Sequence, residues 1–260
     1  MDAADTPNEI PNVTWRGEPI DATTCAACPH AALRRDGACE PGRSCMQDAY
    51  ARRIDRFFRG LPALANDQLS HPYFEVRAIA ARYADLFRLG ALLADPDETV
   101  RMQVALRLPQ RMLMRLRDDP HREVRIRVAH RLDTADLTPM LRDPDYQVRA
   151  IVASRLPEAL LPLLMHDADL QVRLAVARRL PMPALWRLVD DPAAEVRRLA
   201  AERLPAPLLD ALAADPDWTV RWEAAGRALG ATLGRLLADA EPEVRHRAAE
   251  RRDTLEAAHG

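Results

Sequence analysis

Hydrophobic and polar positions recur along most of this chain at a single spacing. Val-Arg pairs stand at Val76-Arg77, Val100-Arg101, Val124-Arg125, Val148-Arg149, Val172-Arg173, Val196-Arg197, Val220-Arg221 and Val244-Arg245, a step of 24 residues without insertion. Five positions after each Val stands an Ala, from Ala81 to Ala249. Thirteen after it stands a Leu, from Leu89 to Leu233, and nineteen after it an Asp, from Asp95 to Asp239. A period of this kind marks stacked structural units rather than one globular core.

The unit reads approximately DPDxxVRxxVAxRLPxxLLxLLx. Asp-Pro suits a helix start: Asp95 can cap free backbone N–H groups, and Pro96 fits a first helical position. Glu98 supplies a capping-box partner. Val100, Val104 and Leu108 then share one stripe of the helix, with Ala105 on its margin. Pro109 stops the helix, as do Pro157, Pro181 and Pro205 in their units. The ten or so residues left before the next Asp are too few for a second ordinary helix. A single short piece fits, of the tighter 3₁₀ kind, holding Leu113 and Leu116 inward. No alternating strand pattern is present. Each unit is too small to bury its own core and must stack on its neighbours. The fold class expected is all-α, a solenoid of about eight 24-residue repeats over residues 61–260.

The ends depart from the repeat. Arg252 takes a core Leu position near the C-terminus, and ERRDTLEAAHG follows as a polar cap. His71-Pro72 stands where Asp-Pro is expected, and Tyr83 interrupts an Arg that occurs seven residues after Val in the other units. Residues 1–60 form a separate N-terminal module. Its segment DAYARRIDRFFRG carries Tyr50, Ile54, Phe57 and Phe58 as an apolar stripe that can pack on the first repeats.

Charge adds two rows. The Arg following each Val lies beside the apolar stripe and needs a partner. Asp95 and Arg101, Asp119 and Arg125, Asp143 and Arg149, Asp167 and Arg173, Asp191 and Arg197, and Asp215 and Arg221 recur together, so a ladder of Arg–carboxylate pairs is expected, each Arg reaching the Asp six residues earlier or the matching Asp of an adjacent unit. The second row, Arg107, Arg131, Arg155, Arg179, Arg203 and Arg227, sits at the stripe's edge with Arg251 at its end. There a long side chain can hold its stem on the core and its head in solvent, which makes this row the candidate contact surface. The chain's 37 basic residues are all Arg, against 39 acids, for a net charge of −2. Non-specific nucleic-acid binders carry a basic excess, and this balance disfavours that class without removing it.

All four cysteines fall in the N-terminal module as Cys25-x2-Cys28-x10-Cys39-x5-Cys45. The start, MDAADTPNEIPNV, lacks a basic, apolar signal segment, and no run approaches the roughly 18 apolar residues of a membrane helix. A cytoplasmic protein is expected, where disulfides are rare. Four thiolates close together need a cation, and tetrahedral zinc and an iron–sulfur cluster both accept four Cys. The spacing leaves both open. Arg34, Arg35 and Arg43 lie within the loop and can offset the charge of the site, with His30 a neighbour rather than a ligand.

The DPDxxVRxxVAxRLPxxLL unit behind a four-cysteine module closely resembles the leucine-rich repeat variant (LRV) family over nearly the whole chain. The Asp and Arg at a six-residue offset also look like HEAT repeats, although the short period departs from them. The LRV resemblance implies a right-handed superhelix of alternating α and 3₁₀ helices. It also implies a [4Fe-4S] cluster on Cys25, Cys28, Cys39 and Cys45, and a nitrogen-fixing bacterial setting. It supplies no biochemical activity. No phosphate loop, nucleophile–base motif or catalytic metal signature stands in the repeats, so an enzyme is not expected. The expected function is a cluster-carrying protein-interaction module whose partner is a protein, with redox regulation of its docking. Electron transfer, nucleic-acid binding along the second Arg row and a zinc-stabilised scaffold are the alternatives.

Overall fold

The computed structural model describes residues 10–258 and is helical, with no strand among the described residues. Three isolated bridges, Val13–Pro19, Thr14–Asp48 and Glu40–Ser44, pin the N-terminal segment. That segment carries three helices: α1 (Ala22–Ala27), α2 (Ala31–Arg35) and α3 (Ala51–Gly60). The repeat helices follow as α4 (Phe74–Tyr83), α5 (Glu98–Ala105), α6 (Gln110–Leu113), α7 (Arg122–Arg131), α8 (Tyr146–Arg155), α9 (Leu170–Ala177), α10 (Ala194–Arg203), α11 (Trp218–Ala225), α12 (Gly230–Leu236) and α13 (Pro242–Ala257). Short 3₁₀ helices such as Leu86–Leu92, Glu158–Leu164 and Ala206–Leu212 alternate with them. Where the expected short piece is α-helical, at α6 and α12, it keeps the same buried leucines, Leu113 and Leu233.

The chain falls into two compact units, one running to Leu132 and the other starting at Asp133. Within the first, α4 packs on α3 and α5, and α5 on α7; within the second, α8, α9, α10, α11 and α13 pack in succession. The core is the repeat stripe itself. Val76, Val100, Val124, Val148, Val172, Val196, Val220 and Val244 are fully buried, as are Leu89, Leu113, Leu137, Leu161 and Leu209. Burying each such side chain contributes roughly 1.5–3 kcal/mol.

Helix starts differ from the sequence expectation. The N-cap is the second acid of the unit, not the first: Asp97 accepts the Thr99 amide (2.8 Å), and Asp145, Asp169 and Asp217 cap α8, α9 and α11 in the same way. Helix α5 therefore begins at Glu98, which is a first-turn residue and not a capping-box partner. The physical reason is that Asp95 is already committed to an arginine of the preceding repeat.

The N-terminal module joins the first repeat through aromatic packing. Ile54, Phe57 and Phe58 of α3 are buried, and Phe58 stacks on Tyr83 (6.4 Å between centroids). Trp15 stacks on Tyr73 at 5.8 Å with the rings 6° from parallel. Arg53 is buried against Asp48 (3.1 Å) and donates to the Ile10 and Pro11 carbonyls (both 2.9 Å). Among the described residues no helix is long and apolar enough to cross a membrane. The leader expectation rests mostly on residues 1–9, outside the described residues.

Candidate functional site

The four cysteines stand on short elements shaped by local chemistry. Asp21 caps α1 by accepting the Thr23 and Thr24 amides (2.8 and 2.9 Å), which presents Cys25 within the helix and Cys28 at its end. The Cys28 sulfur accepts the His30 amide (3.4 Å). The His30 ring lies 5.9 Å from Phe57 and so packs on α3. Helix α2 ends at Arg35, and Gly37 just beyond it has a φ of +71°, a left-handed conformation that glycine adopts without a Cβ penalty. The chain then folds back, and the Ala38 and Cys39 amides both donate to the Leu33 carbonyl. A tight turn with Gly42 at φ +76° joins Glu40 to Ser44 through paired backbone bonds of 2.8 Å. Cys45 follows, its amide donating to the Arg53 carbonyl of α3 (3.2 Å).

The sulfurs share one electrostatic neighbourhood. Burial pushes the Cys39 thiol up, and the charges of Cys28 and Cys25 add to this against Arg34. Burial pushes Cys45 up to about 11, with Asp48, Cys28 and Cys39 contributing and the Gln47 amide opposing. Without a cation both thiols keep their protons at neutral pH, and binding a metal group would release them. The donor set fits an iron–sulfur group in its chemistry: four soft sulfur ligands, all unpaired by disulfides. Among the described residues no three His, Cys, Asp or Glu side chains stand close enough to hold a single metal ion. Cys25, Cys28, Cys39 and Cys45 are the residues that would hold a cluster, which when bound supplies one-electron redox chemistry.

The first arginine row forms a ladder, but not within the DP-to-VR unit. The guanidinium groups of Arg77, Arg101, Arg149, Arg173, Arg197 and Arg221 each fork onto the Asp eighteen residues later. Arg101 donates Nε and Nη2 to Asp119 (2.7 and 3.0 Å), Arg149 to Asp167 (2.7 and 2.8 Å), Arg173 to Asp191 (2.9 and 3.3 Å), Arg197 to Asp215 (2.7 and 2.8 Å) and Arg221 to Asp239 (2.8 and 3.0 Å). The remaining nitrogen, Nη1, reaches back to its own unit. It meets the backbone carbonyl of the Asp six residues earlier, as Arg101 does at Asp95 (2.7 Å) and Arg125 at Asp119 (2.9 Å). Asp143 accepts the Asp145 amide (2.8 Å), and Arg149 Nη1 takes the Asp143 carbonyl (2.8 Å). Burial raises Asp167, but hydrogen bonds from Arg149 and the Asp169 amide, with the charges of Arg149 and Arg173, outweigh it and hold the carboxyl below the usual range. Asp95 is lowered by the same balance, with Arg77 as its partner.

The second row, the candidate contact surface, is half-buried, and most of its arginines tie Nη1 to backbone carbonyls. Arg107 donates Nη1 to the Ala81 and Ala84 carbonyls (both 2.7 Å), and Arg131 to those of Ala105 and Leu108 (2.5 and 3.1 Å). Arg203 does the same to Ala177 and Leu180 (2.5 and 2.9 Å), and Arg227 to Ala201 and Glu202 (2.9 and 2.5 Å). Arg179 takes the Ala153 carbonyl (2.9 Å), and Arg155 is also engaged. These are the unpaired carbonyls at the C-terminus of the preceding repeat helix, which a cation satisfies while complementing the helix dipole.

Both exceptions in the sequence follow from this geometry. The first repeat has no repeat helix before it, so position 83 needs no carbonyl-capping Arg. Instead the Tyr83 hydroxyl donates to Asp55 of α3 (2.8 Å). Likewise no earlier ladder arginine reaches position 71, so His71 serves without a carboxylate. Its Nδ1 accepts the Tyr73 amide (3.0 Å), and its carbonyl accepts Arg77 (2.8 Å). Asp55, which the sequence did not single out, gathers Tyr83, Arg82 (2.8 Å) and Arg59 (2.6 Å) at the seam between module and repeats.

Comparison with known proteins places these features together. The family described as "LRV protein FeS4 cluster" matches residues 12–67, and "Leucine rich repeat variant" matches residues 74–97 and 146–169. A solved structure titled as a leucine-rich repeat variant with a novel repetitive structural motif is 45% identical, with a TM-score of 0.82, over 87% of this chain and 97% of that one. An uncharacterized 27.7 kDa protein in the nifB 3' region of Rhodobacter capsulatus is 50% identical over 95 residues, which is 36% of this chain and 38% of that relative's length. With the repeat period, the paired arginine rows and the four-cysteine head all in place, this chain belongs to the leucine-rich repeat variant family.

Proposed function

We propose that this protein is a non-catalytic interaction module whose repeats present a binding surface to a protein partner, and whose N-terminal head carries a [4Fe-4S] cluster on Cys25, Cys28, Cys39 and Cys45. One observation carries the regulatory part of this reading: helix α3 belongs to both halves of the device. Its Arg53 carbonyl receives the Cys45 amide. Its Asp55 and Phe58 hold Arg82 and Tyr83 of the first repeat. A change of one charge at the cysteines therefore acts on a helix that is packed against the repeats. Repeat solenoids serve as extended binding scaffolds, which supports an interaction role. The R. capsulatus relative's name places it beside nifB, which supports a nitrogen-fixing setting, and a cytoplasmic location agrees with unpaired cysteines. The nucleic-acid alternative is weakened because the chain has no basic excess and most arginines of the proposed row tie one nitrogen to backbone carbonyls.

The test is cross-linking capture from native lysate with the anaerobically prepared full chain, reduced and oxidised, beside a Cys45→Ala form. The reading expects a defined protein partner whose yield changes with the state of the head. Identical capture by all three forms would remove the regulatory role, and capture of nucleic acid alone would replace the protein partner.

A further inference from the structure

We propose that the solvent-facing flank of Cys39 is the docking surface for an acidic one-electron carrier protein, an inference that rests on the iron–sulfur reading of the four cysteines. Cys39 borders an open cleft of about 320 Å³ that Glu40, Arg43, Ser44 and Arg56 also line. Arg56 of α3 donates Nη1 to the Arg43 carbonyl (3.2 Å), which fixes the two arginine-bearing segments side by side. Arg34 borders the same cleft, its carbonyl accepting the amide of Gly37 (3.1 Å), a residue that lines it. Arg34, Arg43 and Arg56 are all exposed, and the acid among them is Glu40. Three guanidinium groups against one carboxylate leave a surplus of two positive charges on this flank, while the adjacent Arg35 and Asp36 cancel.

Both repeat rows differ from this rim in kind. Their side chains are buried or half-buried and bonded to carboxylates or backbone carbonyls, whereas Arg43 meets Glu40 only at 3.3 Å with both side chains mostly in water (75 and 61% exposed). A loosely paired surface charge of that sort adds little stability. Its field instead steers partners and sets the salt dependence of their encounter. A thiolate-bound cluster would itself be anionic and repel an acidic carrier, and a cationic rim beside Cys39 would offset that repulsion. Cys25, Cys28, Cys39 and Cys45 would hold the group that supplies one-electron chemistry, and the rim's own part would be to bind and orient the carrier beside Cys39.

The experiment titrates the full, anaerobically purified chain with a fluorescently labelled acidic plant-type [2Fe-2S] ferredoxin as the probe. Iron and sulfide are measured on the same samples. Binding at about 50 mM salt that weakens steeply by about 200 mM is expected. Arg43→Glu/Arg56→Glu and, separately, Arg34→Glu should each raise Kd about ten-fold or more with the visible spectrum unchanged, while Arg187→Glu on the repeats should leave it unchanged. Absence of binding at low salt by a chain that contains iron and sulfide would overturn the docking surface, as would equal Kd values for rim and control variants. Zinc in place of iron and sulfide would overturn the underlying cluster reading, and the proposal with it, and the metal analysis tells the two failures apart.

Discussion

Removing one side of a ladder step should cost far more than removing both. Arg101 and Asp119 are each buried, at 8 and 6% exposed. Arg101 spends two donors on the Asp119 carboxylate and its third nitrogen on the Asp95 and Pro96 carbonyls (2.7 and 3.2 Å). Asp119 also accepts the His121 amide (2.9 Å). Asp119→Ala therefore strands a buried guanidinium, and a buried charge left without its partner typically costs about 3–5 kcal/mol. Arg101→Met strands the carboxylate at similar cost, softened by the His121 amide. The double variant removes both charges and leaves an apolar contact, so its loss should fall well short of the sum, with a coupling of about 2 kcal/mol or more. At roughly 2–4 °C per kcal/mol for a chain of this size, each single variant should melt about 6–20 °C lower. Thermal and urea unfolding of all four proteins, followed by circular dichroism, would measure the cycle. Single variants that melt within about 2 °C of the parent, or losses that simply add, would refute the ladder as a stabilising device.

Three further outcomes follow from the same geometry. Arg203→Met removes the donor to the Ala177 and Leu180 carbonyls and should destabilise by about 1–3 kcal/mol, measured by urea unfolding; a pure contact-surface residue would leave stability unchanged. Asp95, Asp167 and Asp239 have carboxyls held below their usual range. Their stabilising contribution should thus be fully present above about pH 4 and be lost as pH falls through the lowered folded-state values, which a melting series from pH 7 to 2 would show. Leu161→Ala, at a fully buried repeat position, should cost about 2–5 kcal/mol in the same unfolding assay.

The repeat was legible because each unit must bury the same stripe, so Val76 through Val244 and the leucines thirteen residues on could be read by counting. The roles of polar residues were harder, because they depend on a neighbour one unit away. Asp95 looks like the cap in sequence, although Asp97 fills that role. Only stacking shows that Arg77 claims the first and leaves the second to start the helix. Arg107 and its equivalents look solvent-bound on a helical wheel, since a wheel does not contain the carbonyls of the preceding helix. The signal was nevertheless there: a row that fails only at Tyr83, where no repeat precedes it, serves a neighbour rather than a ligand. In the head, spacing identified a four-sulfur site but not its occupant. Zinc and iron–sulfur groups accept the same ligands, and the turns at Gly37 and Gly42 on either side of Cys39 are compatible with either.

The central claim is an iron–sulfur head fixed to a repeat scaffold, and quantitative metal analysis tests it most directly. Protein purified without oxygen should contain iron and acid-labile sulfide in equal amounts, with a broad visible absorption that disappears in Cys45→Ala while the helical circular dichroism of the repeats persists. Stoichiometric zinc without sulfide, or iron retained in full by that variant, would contradict the account.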